Sequence, residues 1–274
     1  MALLLTISLG CNSAQDQTYN THDEDGYQED SDQRDSAERV DLSEYPEIPL
    51  PQLEPLSEGE EIALLHTSKG VVTLRFFPDF APMAVQNFKT HAKAGYYDGV
   101  LFHAVTENSI IQSGDPDGTG LGGVSIWGGP FEIETTPSLR HLYGALSMVR
   151  NIDPNSQGSQ FFIVVNRELE ESVSREIESY KEIQDHVVGQ MADGSPFPMA
   201  MYFPERVIDE YQTVGGIPGL DMTYTVFGHV IDGFDVIDSI ASVETSQDEE
   251  TLDKPLEDIV IERITFENYS PNLP

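Results

Sequence analysis

Short runs of alternating apolar and polar residues dominate the chain after residue 60. The runs at 62–66 and 71–77 are joined by Thr-Ser-Lys-Gly, a composition typical of a β-hairpin. We expect further short strands within 99–114 and 144–165, and single strands at 224–230 and 259–266.

Two segments have helical rather than alternating spacing, 81–94 and 234–243. Pro82 lies in the first turn of the first segment and Gly95 follows its end, which is the usual polarity of helix punctuation. Many short strands with two main helices predict a mainly β fold, a closed antiparallel barrel capped by helices.

Residues 166–219 do not fit this compact pattern, and we interpret them as an insertion. Within it, 168–188 is charged and prone to form a helix, with apolar residues at helical spacing. Such a stripe more often belongs to a core than to a groove for a partner. We therefore expect an inserted helix and loop packed beside the face that carries the functional site.

The charge of the chain excludes several function classes. Its 274 residues carry a formal net charge of −34, and residues 1–61 hold many acidic side chains against Arg34 and Arg39 alone. Binding of nucleic acid or of anionic lipid by charge requires clustered Lys and Arg, so we expect neither. The single cysteine allows no internal disulfide, and no metal-ligand spacing occurs, so we expect no metal and no cofactor.

The first residues resemble a targeting segment. Residues 1–10 form a short apolar run that ends in small residues just before Cys11. This run is too short to span a bilayer, and we interpret it as a lipoprotein-type signal peptide followed by a lipidated Cys11. The alternatives are an ordinary signal peptide with a chance cysteine, or a disordered cytoplasmic leader.

Residues 11–60 are rich in Asp, Glu, Gln and Ser and have few apolar side chains. Such a segment does not bury enough apolar surface to offset its loss of conformational entropy. We expect a disordered acidic tether, locally extended over the proline-containing part at 46–55. The folded domain is then expected to span 61–269.

Two motifs identify a family. Residues 99–123 read GVLFHAVTENSIIQSGDPDGTGLGG, and 146–165 read LSMVRNIDPNSQGSQFFIVV. Together they resemble the cyclophilins, which are β-barrel peptidyl-prolyl cis-trans isomerases. The resemblance covers about 62–266 apart from the insertion. It implies a site with an apolar proline pocket, amide side chains that bind the peptide backbone, and one cationic donor, with no nucleophile or cofactor.

The resemblance assigns a role to individual residues. The place of the family's catalytic arginine is here Ala104, and Arg150 on the matched rim is the candidate substitute. Ser109 stands where the family has a pocket phenylalanine. The substrate-binding residues implied are Gln112 and Gln160 for the peptide backbone, Phe162 for the pocket floor, Ile110 and Val149 for the pocket side and rim, and Leu220 and Tyr224 for the far wall.

His103 has two interpretations, a proton-transfer residue or a structural histidine bonded to its surroundings. Prolyl isomerisation needs no base, so we favour the structural role. The glycines between 118 and 123 are read as turn positions rather than a phosphate cradle, because no P-loop lysine follows them.

The function implied is prolyl isomerisation that assists the folding of exported proteins, with activity reduced by Ala104. Its partners are then proline-containing peptides or unfolded exported proteins. We expect it at the cell envelope, anchored on the periplasmic or outer-membrane face. The alternative, favoured by Ala104 and Ser109, is a non-catalytic chaperone or scaffold module that binds proline peptides. A purely structural lipoprotein role leaves Gln112, Gln160 and Phe162 without a purpose.

Overall fold

A computed structural model describes residues 38–248, 251 and 253–271. The strands are β1 (Glu61–Thr67), β2 (Gly70–Phe76), β3 (Ala104–Thr106), β4 (Ile110–Ser113), β5 (Ala145–Met148), β6 (Phe161–Val164), β7 (Val187–Gln190), β8 (Pro196–Pro198), β9 (Val226–Asp232) and β10 (Ile261–Asn268). The helices are α1 (Pro82–Lys93), α2 (Glu171–Ser179), α3 (Met199–Tyr202), α4 (Glu205–Val214) and α5 (Phe234–Ala241).

Eight strands form one curled antiparallel sheet in the order β10-β1-β2-β9-β5-β6-β4-β3, and β7 pairs with β8 separately. The residues just before the two edge strands also meet, in a bridge between Leu101 and Val260. The predicted mainly β fold with capping helices is therefore confirmed. The expected hairpin joins β1 to β2, and both long helical segments form α1 and α5.

The main core lies inside the curled sheet and under α1 and α5. Phe88 on α1 is fully buried, and its ring centroid lies 5.2 Å from that of Tyr97 and 5.2 Å from that of Phe161. Aromatic pairs at this distance add to the stability that burial alone provides. The apolar face of α1 thus closes one end of the sheet.

The insertion forms a second core beside the barrel. It consists of α2, a 3-10 helix (Tyr180–Ile183), the β7–β8 hairpin, α3 and α4. Ile177, Phe203, Ile208 and Tyr211 are buried together there, and Leu142 of the barrel joins them. Ile177 of α2 and Tyr180 and Ile183 of the following 3-10 helix pack on this core, as expected. α2 and the 3-10 helix that follows it end at Ile183, and residue 187 already belongs to β7. The helical segment is therefore shorter than the predicted 168–188.

Residues 38–60 differ from the expected disordered tether. They contain two 3-10 helices (Leu42–Glu44 and Pro51–Leu53), and they pack on the insertion and the barrel. We call residues 38–60 the arm. Leu50 is only 4% exposed, because the second core surrounds it. The expected extension over 46–55 is interrupted by the second 3-10 helix. Cys11, the expected signal peptide and residues 12–37 lie outside the described residues.

Polar contacts also hold the arm. Arg75 on β2 donates from Nη1 to the carbonyls of Pro51 at 3.0 Å and Glu54 at 2.7 Å, and its Nε donates to Glu60 at 3.0 Å. These acceptors satisfy a guanidinium that is almost fully buried. The arm therefore neutralises and solvates a barrel cation, which explains why it folds against this face.

Within the described part of the chain, no helix has the length and apolar character needed to cross a membrane.

The buried position of Leu50 predicts a stability change. Leu50→Ala should lower the free energy of unfolding by about 2–4 kcal/mol, because it leaves a cavity in the second core. The matched control is Leu42→Ala in the same arm, which removes a side chain that is 36% exposed and should cost less than about 1 kcal/mol. Chemical denaturation measures both values. Equal and small losses would contradict the packing of the arm.

His229 on β9 predicts a pH dependence. The Gln52 amide nitrogen donates to the carbonyl of Arg140 at 2.9 Å and lies 3.1 Å from Nδ1 of His229. Its Oε1 accepts from the Arg140 N–H at 2.6 Å. With this amide orientation Nδ1 is an acceptor, so the ring is neutral. Desolvation, together with the charge of Arg75, lowers the pKa of His229 from 6.5 to about 4.

The His229 ring therefore binds a second proton more weakly in the folded state than in the unfolded chain. The contribution of His229 to stability is complete above pH 6.5 and is lost as the pH falls to about 4. Its upper bound is about 3 kcal/mol. The measurement is the difference in free energy of unfolding between the parent and His229→Gln, between pH 7.5 and pH 4. A difference that does not change with pH would contradict the prediction.

Candidate active site

One row of residues crosses four adjacent strands of the sheet. Ala104 on β3 is opposite Gln112 on β4, Gln112 is opposite Phe162 on β6, and Phe162 is opposite Ser147 on β5. Residues directly opposite each other in antiparallel strands point to the same face. The register therefore places the three residues that the sequence analysis singles out side by side on the same face.

The apolar residues of the expected pocket gather around Phe162. Its ring is buried, and the ring of Tyr224 meets it edge-on with centroids 5.8 Å apart. Leu220 is buried in the same apolar cluster, and Ile110 and Val149 pack against that cluster with part of their surface exposed. The structure thus brings the apolar residues expected for the floor, walls and rim of the pocket into one cluster.

The two glutamines are bonded to each other. Nε2 of Gln112 donates to Oε1 of Gln160 at 2.8 Å and lies 3.2 Å from Nε2 of His103. Nε2 of Gln160 donates to the carbonyls of Gly120 at 3.1 Å and Gly122 at 2.8 Å. Gln160 thus orients Gln112 and uses both of its own amide hydrogens. Within the described part of the chain, Oε1 of Gln112 accepts no hydrogen bond, so it is available to a peptide N–H.

Asp115 shapes the glycine-rich loop that holds Gln160. Its buried carboxylate accepts from the backbone N–H groups of Asp117 at 3.0 Å, Thr119 at 2.9 Å, Gly120 at 2.8 Å and Gly122 at 3.2 Å. Desolvation raises the pKa of Asp115, but these N–H donors outweigh it and the net pKa lies below the usual value. A Cβ on Gly122 would come within 2.4 Å of the Asp115 carboxylate, so this position requires glycine.

The role of Asp115 is not among the predictions made from the sequence. An acidic residue directly before a run of small residues is the signal that could have indicated it, because such side chains often accept from the following backbone N–H groups.

His103 lies beside Gln112 at the edge of the row. Desolvation lowers the pKa of His103 despite the nearby charge of Asp115. The neutral ring then presents Nε2 as an acceptor to the Gln112 amide. This contact supports the structural role for His103, since the imidazole helps to fix an amide side chain.

Two arginines near the pocket, Arg150 and Arg140, are each held by other groups. Arg150 donates from Nε to the Thr223 carbonyl at 2.6 Å, and its guanidinium carbon lies 4.6 Å from the centre of the Tyr224 ring. It is therefore on the Tyr224 side of Phe162, whereas Ala104 lies beyond Gln112 on the other side. Arg140 is paired with Asp221 in the interior.

The described residues contain no cluster of three or more His, Cys, Asp or Glu side chains that could hold a metal ion. The groups present suit non-covalent binding of an extended peptide: an apolar pocket for a ring, and beside it an amide oxygen for a backbone N–H.

Comparisons with known proteins agree with this geometry. A family model described as "Cyclophilin type peptidyl-prolyl cis-trans isomerase/CLD" matches residues 62–266. Curated relatives from Staphylococcus aureus strain USA300 and Staphylococcus haemolyticus bear the name "Putative peptidyl-prolyl cis-trans isomerase". The first is 42% identical over 226 residues, 82% of this chain and 100% of the relative. The second is 43% identical over 219 residues, 80% of this chain and 98% of the relative.

Solved structures extend the comparison. A cyclophilin-type peptidyl-prolyl cis-trans isomerase of Cryptosporidium parvum is 26% identical, with a TM-score of 0.56, over 77% of this chain and 99% of that one. The same protein in the presence of the dipeptide Ala-Pro is 27% identical, with a TM-score of 0.55, over 76% of this chain and 99% of that one. With the family model covering most of its length, the chain belongs to the cyclophilin-type peptidyl-prolyl cis-trans isomerases.

Proposed function

We propose that this chain is a prolyl isomerase of modest rate that acts on proline-containing segments of unfolded exported proteins. One observation carries the proposal. The Phe162 pocket and the Gln112 amide stand side by side, but the position next to them that carries a cation in the resembled family is Ala104. The residues proposed to bind the peptide are in place, and the side chain at position 104 has no N–H group to donate to the prolyl nitrogen.

The chemistry of the reaction explains why this arrangement supports a modest rate. Rotation about the prolyl amide has a barrier of roughly 20 kcal/mol, because the bond has partial double-bond character. A catalyst lowers this barrier when it binds the twisted amide more tightly than the planar one. The pocket around Phe162 holds the proline ring while Oε1 of Gln112 accepts a neighbouring N–H, and the rest of the peptide turns.

The missing donor limits the rate. Twisting the amide localises its lone pair on the prolyl nitrogen, and a positioned N–H donor stabilises that nitrogen. Removing one such donor commonly costs about 10²- to 10³-fold in rate. Arg150 is the candidate substitute, although its guanidinium is stacked on Tyr224 and bonded to the Thr223 carbonyl.

The second candidate function is a non-catalytic module that binds proline peptides as a chaperone or scaffold. Ala104 favours it, because the transition state has no donor at that position. Ser109 also favours it. This residue lies in the turn between β3 and β4, at the position where the resembled family has a pocket phenylalanine.

We further propose that the protein is lipid-anchored through Cys11 at the cell envelope, on the periplasmic or outer-membrane face. The apolar run 1–10 that ends in Gly10, followed by Cys11 and a strongly acidic segment, supports this. A soluble domain held near the site of protein export would meet its clients before they fold.

Restoring the donor tests the catalytic proposal. Ala104→Arg should raise kcat/KM at least about tenfold, which corresponds to about 1.4 kcal/mol of activation free energy. The gain should appear mainly in kcat, because the donor stabilises the twisted amide more than the planar one. The measurement is the isomerisation of a short Ala-Pro-Phe peptide. Ala104→Met is the matched control, since it adds similar length without a donor and should not raise kcat.

The paired variant is Arg150→Ala. If it abolishes activity while Ala104→Arg adds nothing, Arg150 already supplies the cation and the proposal of a reduced site is wrong. If the parent and Ala104→Arg both bind the peptide and neither accelerates isomerisation, the non-catalytic module is the function.

The anchor has its own test. Metabolic labelling with a fatty acid in a bacterial host should label the parent and not Cys11→Ser, because the diacylated group is attached through the thiol of this residue. Cell fractionation should then move Cys11→Ser from the membrane to the soluble fraction. Equal labelling of both proteins would contradict lipidation at Cys11.

A further inference from the structure

The insertion reaches the proline pocket through one buried carboxylate. Asp221 directly follows Leu220 of the pocket wall, and its side chain is fully buried. Its Oδ1 accepts from the backbone N–H of His141 at 2.9 Å and lies 3.0 Å from Nδ1 of the same residue. Nη1 of Arg140 donates to its Oδ2 at 3.2 Å.

A residue of the insertion completes this set. The hydroxyl of Tyr211 on α4 lies 3.0 Å and 2.9 Å from the two oxygens of Asp221. Desolvation and the charge of Asp221 raise the pKa of Tyr211 well above its usual value, so the hydroxyl keeps its proton and donates. The insertion thereby supplies a hydrogen-bond donor to a buried anion of the barrel. A hydrogen bond to an ionised acceptor is stronger than one between neutral groups.

His141 connects the carboxylate to the pocket floor. Its ring stacks on the ring of Phe162 with an interplanar angle of 16° and centroids 6.0 Å apart. It also meets the ring of Tyr224 edge-on at 6.4 Å. Nε2 of His141 lies 3.1 Å from the hydroxyl of Ser147, the residue opposite Phe162 in the sheet. The imidazole is therefore fixed at both nitrogens and supports the floor from behind.

We infer that Tyr211 is a positioning residue of the proline pocket, through which the insertion sets the position of Leu220 and Phe162. The chain of contacts is continuous: Tyr211 holds Asp221, Asp221 fixes Leu220 by covalent connection, and it fixes His141, which supports Phe162. The inference rests on the proposed function in one respect, since it takes this pocket to be where proline binds.

Loss of the Tyr211 hydroxyl has a specific consequence. The carboxylate then lacks one of its donors inside the protein, and it moves to regain one because an unsatisfied buried charge is costly. Leu220 and the His141 ring move with it. A pocket wall holds the proline ring in the planar and twisted states alike. Loss of the Tyr211 hydroxyl should therefore lower the affinity for substrate more than it slows rotation about the prolyl bond.

The test compares two Tyr→Phe changes within the insertion of the full chain. Tyr211→Phe removes the donor to Asp221 and keeps the ring in the second core. Tyr180→Phe is the matched control, because it removes a hydroxyl that, among the described residues, bonds only to the exposed Glu176 at 2.7 Å. We expect Tyr211→Phe to raise KM and the dissociation constant for an Ala-Pro-Phe peptide about fivefold, with kcat changed less than twofold. Tyr180→Phe should change neither.

A purely structural role for Tyr211 gives a different pattern. It would lower the fraction of folded protein and hence the apparent kcat, with KM unchanged, and that result would overturn the inference. The NMR signals of the Leu220 methyl groups and the Phe162 ring give a readout that does not depend on activity. They should shift in Tyr211→Phe and stay in place in Tyr180→Phe, and unchanged signals in Tyr211→Phe would also overturn it.

The same measurements separate this inference from the proposed function. A parent that neither binds nor isomerises the peptide contradicts the proposed function, while the shifts of Leu220 and Phe162 still decide whether Tyr211 positions the pocket. A parent that binds the peptide with an affinity that Tyr211→Phe does not alter contradicts the inference and leaves the proposed function standing.

Discussion

The buried ion pair between Arg140 and Asp221 joins three parts of the chain that are far apart in sequence. Removing two charges from water costs several kcal/mol per ion, and their attraction offsets this only when hydrogen bonds complete the site. The barrel supplies His141, the insertion supplies Tyr211 and the Tyr202 carbonyl, and the arm clasps the Arg140 backbone through Gln52. The barrel and the insertion therefore supply the partners of the pair, the arm holds the Arg140 backbone, and Nε of Arg140 has no hydrogen-bond partner among the described residues.

The position of the site follows from strand register rather than from loop geometry. Ala104, Gln112 and Phe162 belong to three strands whose pairing fixes them in one row. A slip by one residue would turn this row into the main core, which already holds Ile111 and Ile163 on the opposite face. The packing that stabilises the barrel thus also keeps the binding face intact.

The sequence predicts those elements whose information is local. The strands and the two long helices follow from periodicity, and the pocket around Phe162 follows from the family motif. The ordered arm was not predictable, since Leu50 stands among acidic residues and its partners, such as Phe203, lie about 150 residues away. Asp115 and Asp221 look like surface acids in the sequence. Their burial depends on donors that only the folded backbone or distant residues provide.

The docked arm changes how far the domain can stand from a membrane. The first described residue, Glu38, already pairs with Val187 of the insertion, so 26 residues rather than about 50 lie between Cys11 and the first docked residue. Covalent geometry allows at most about 3.5 Å per residue, so this span is limited to roughly 95 Å. If the protein is held at Cys11, as proposed, the docked arm would keep the peptide-binding face within this distance of the lipid surface.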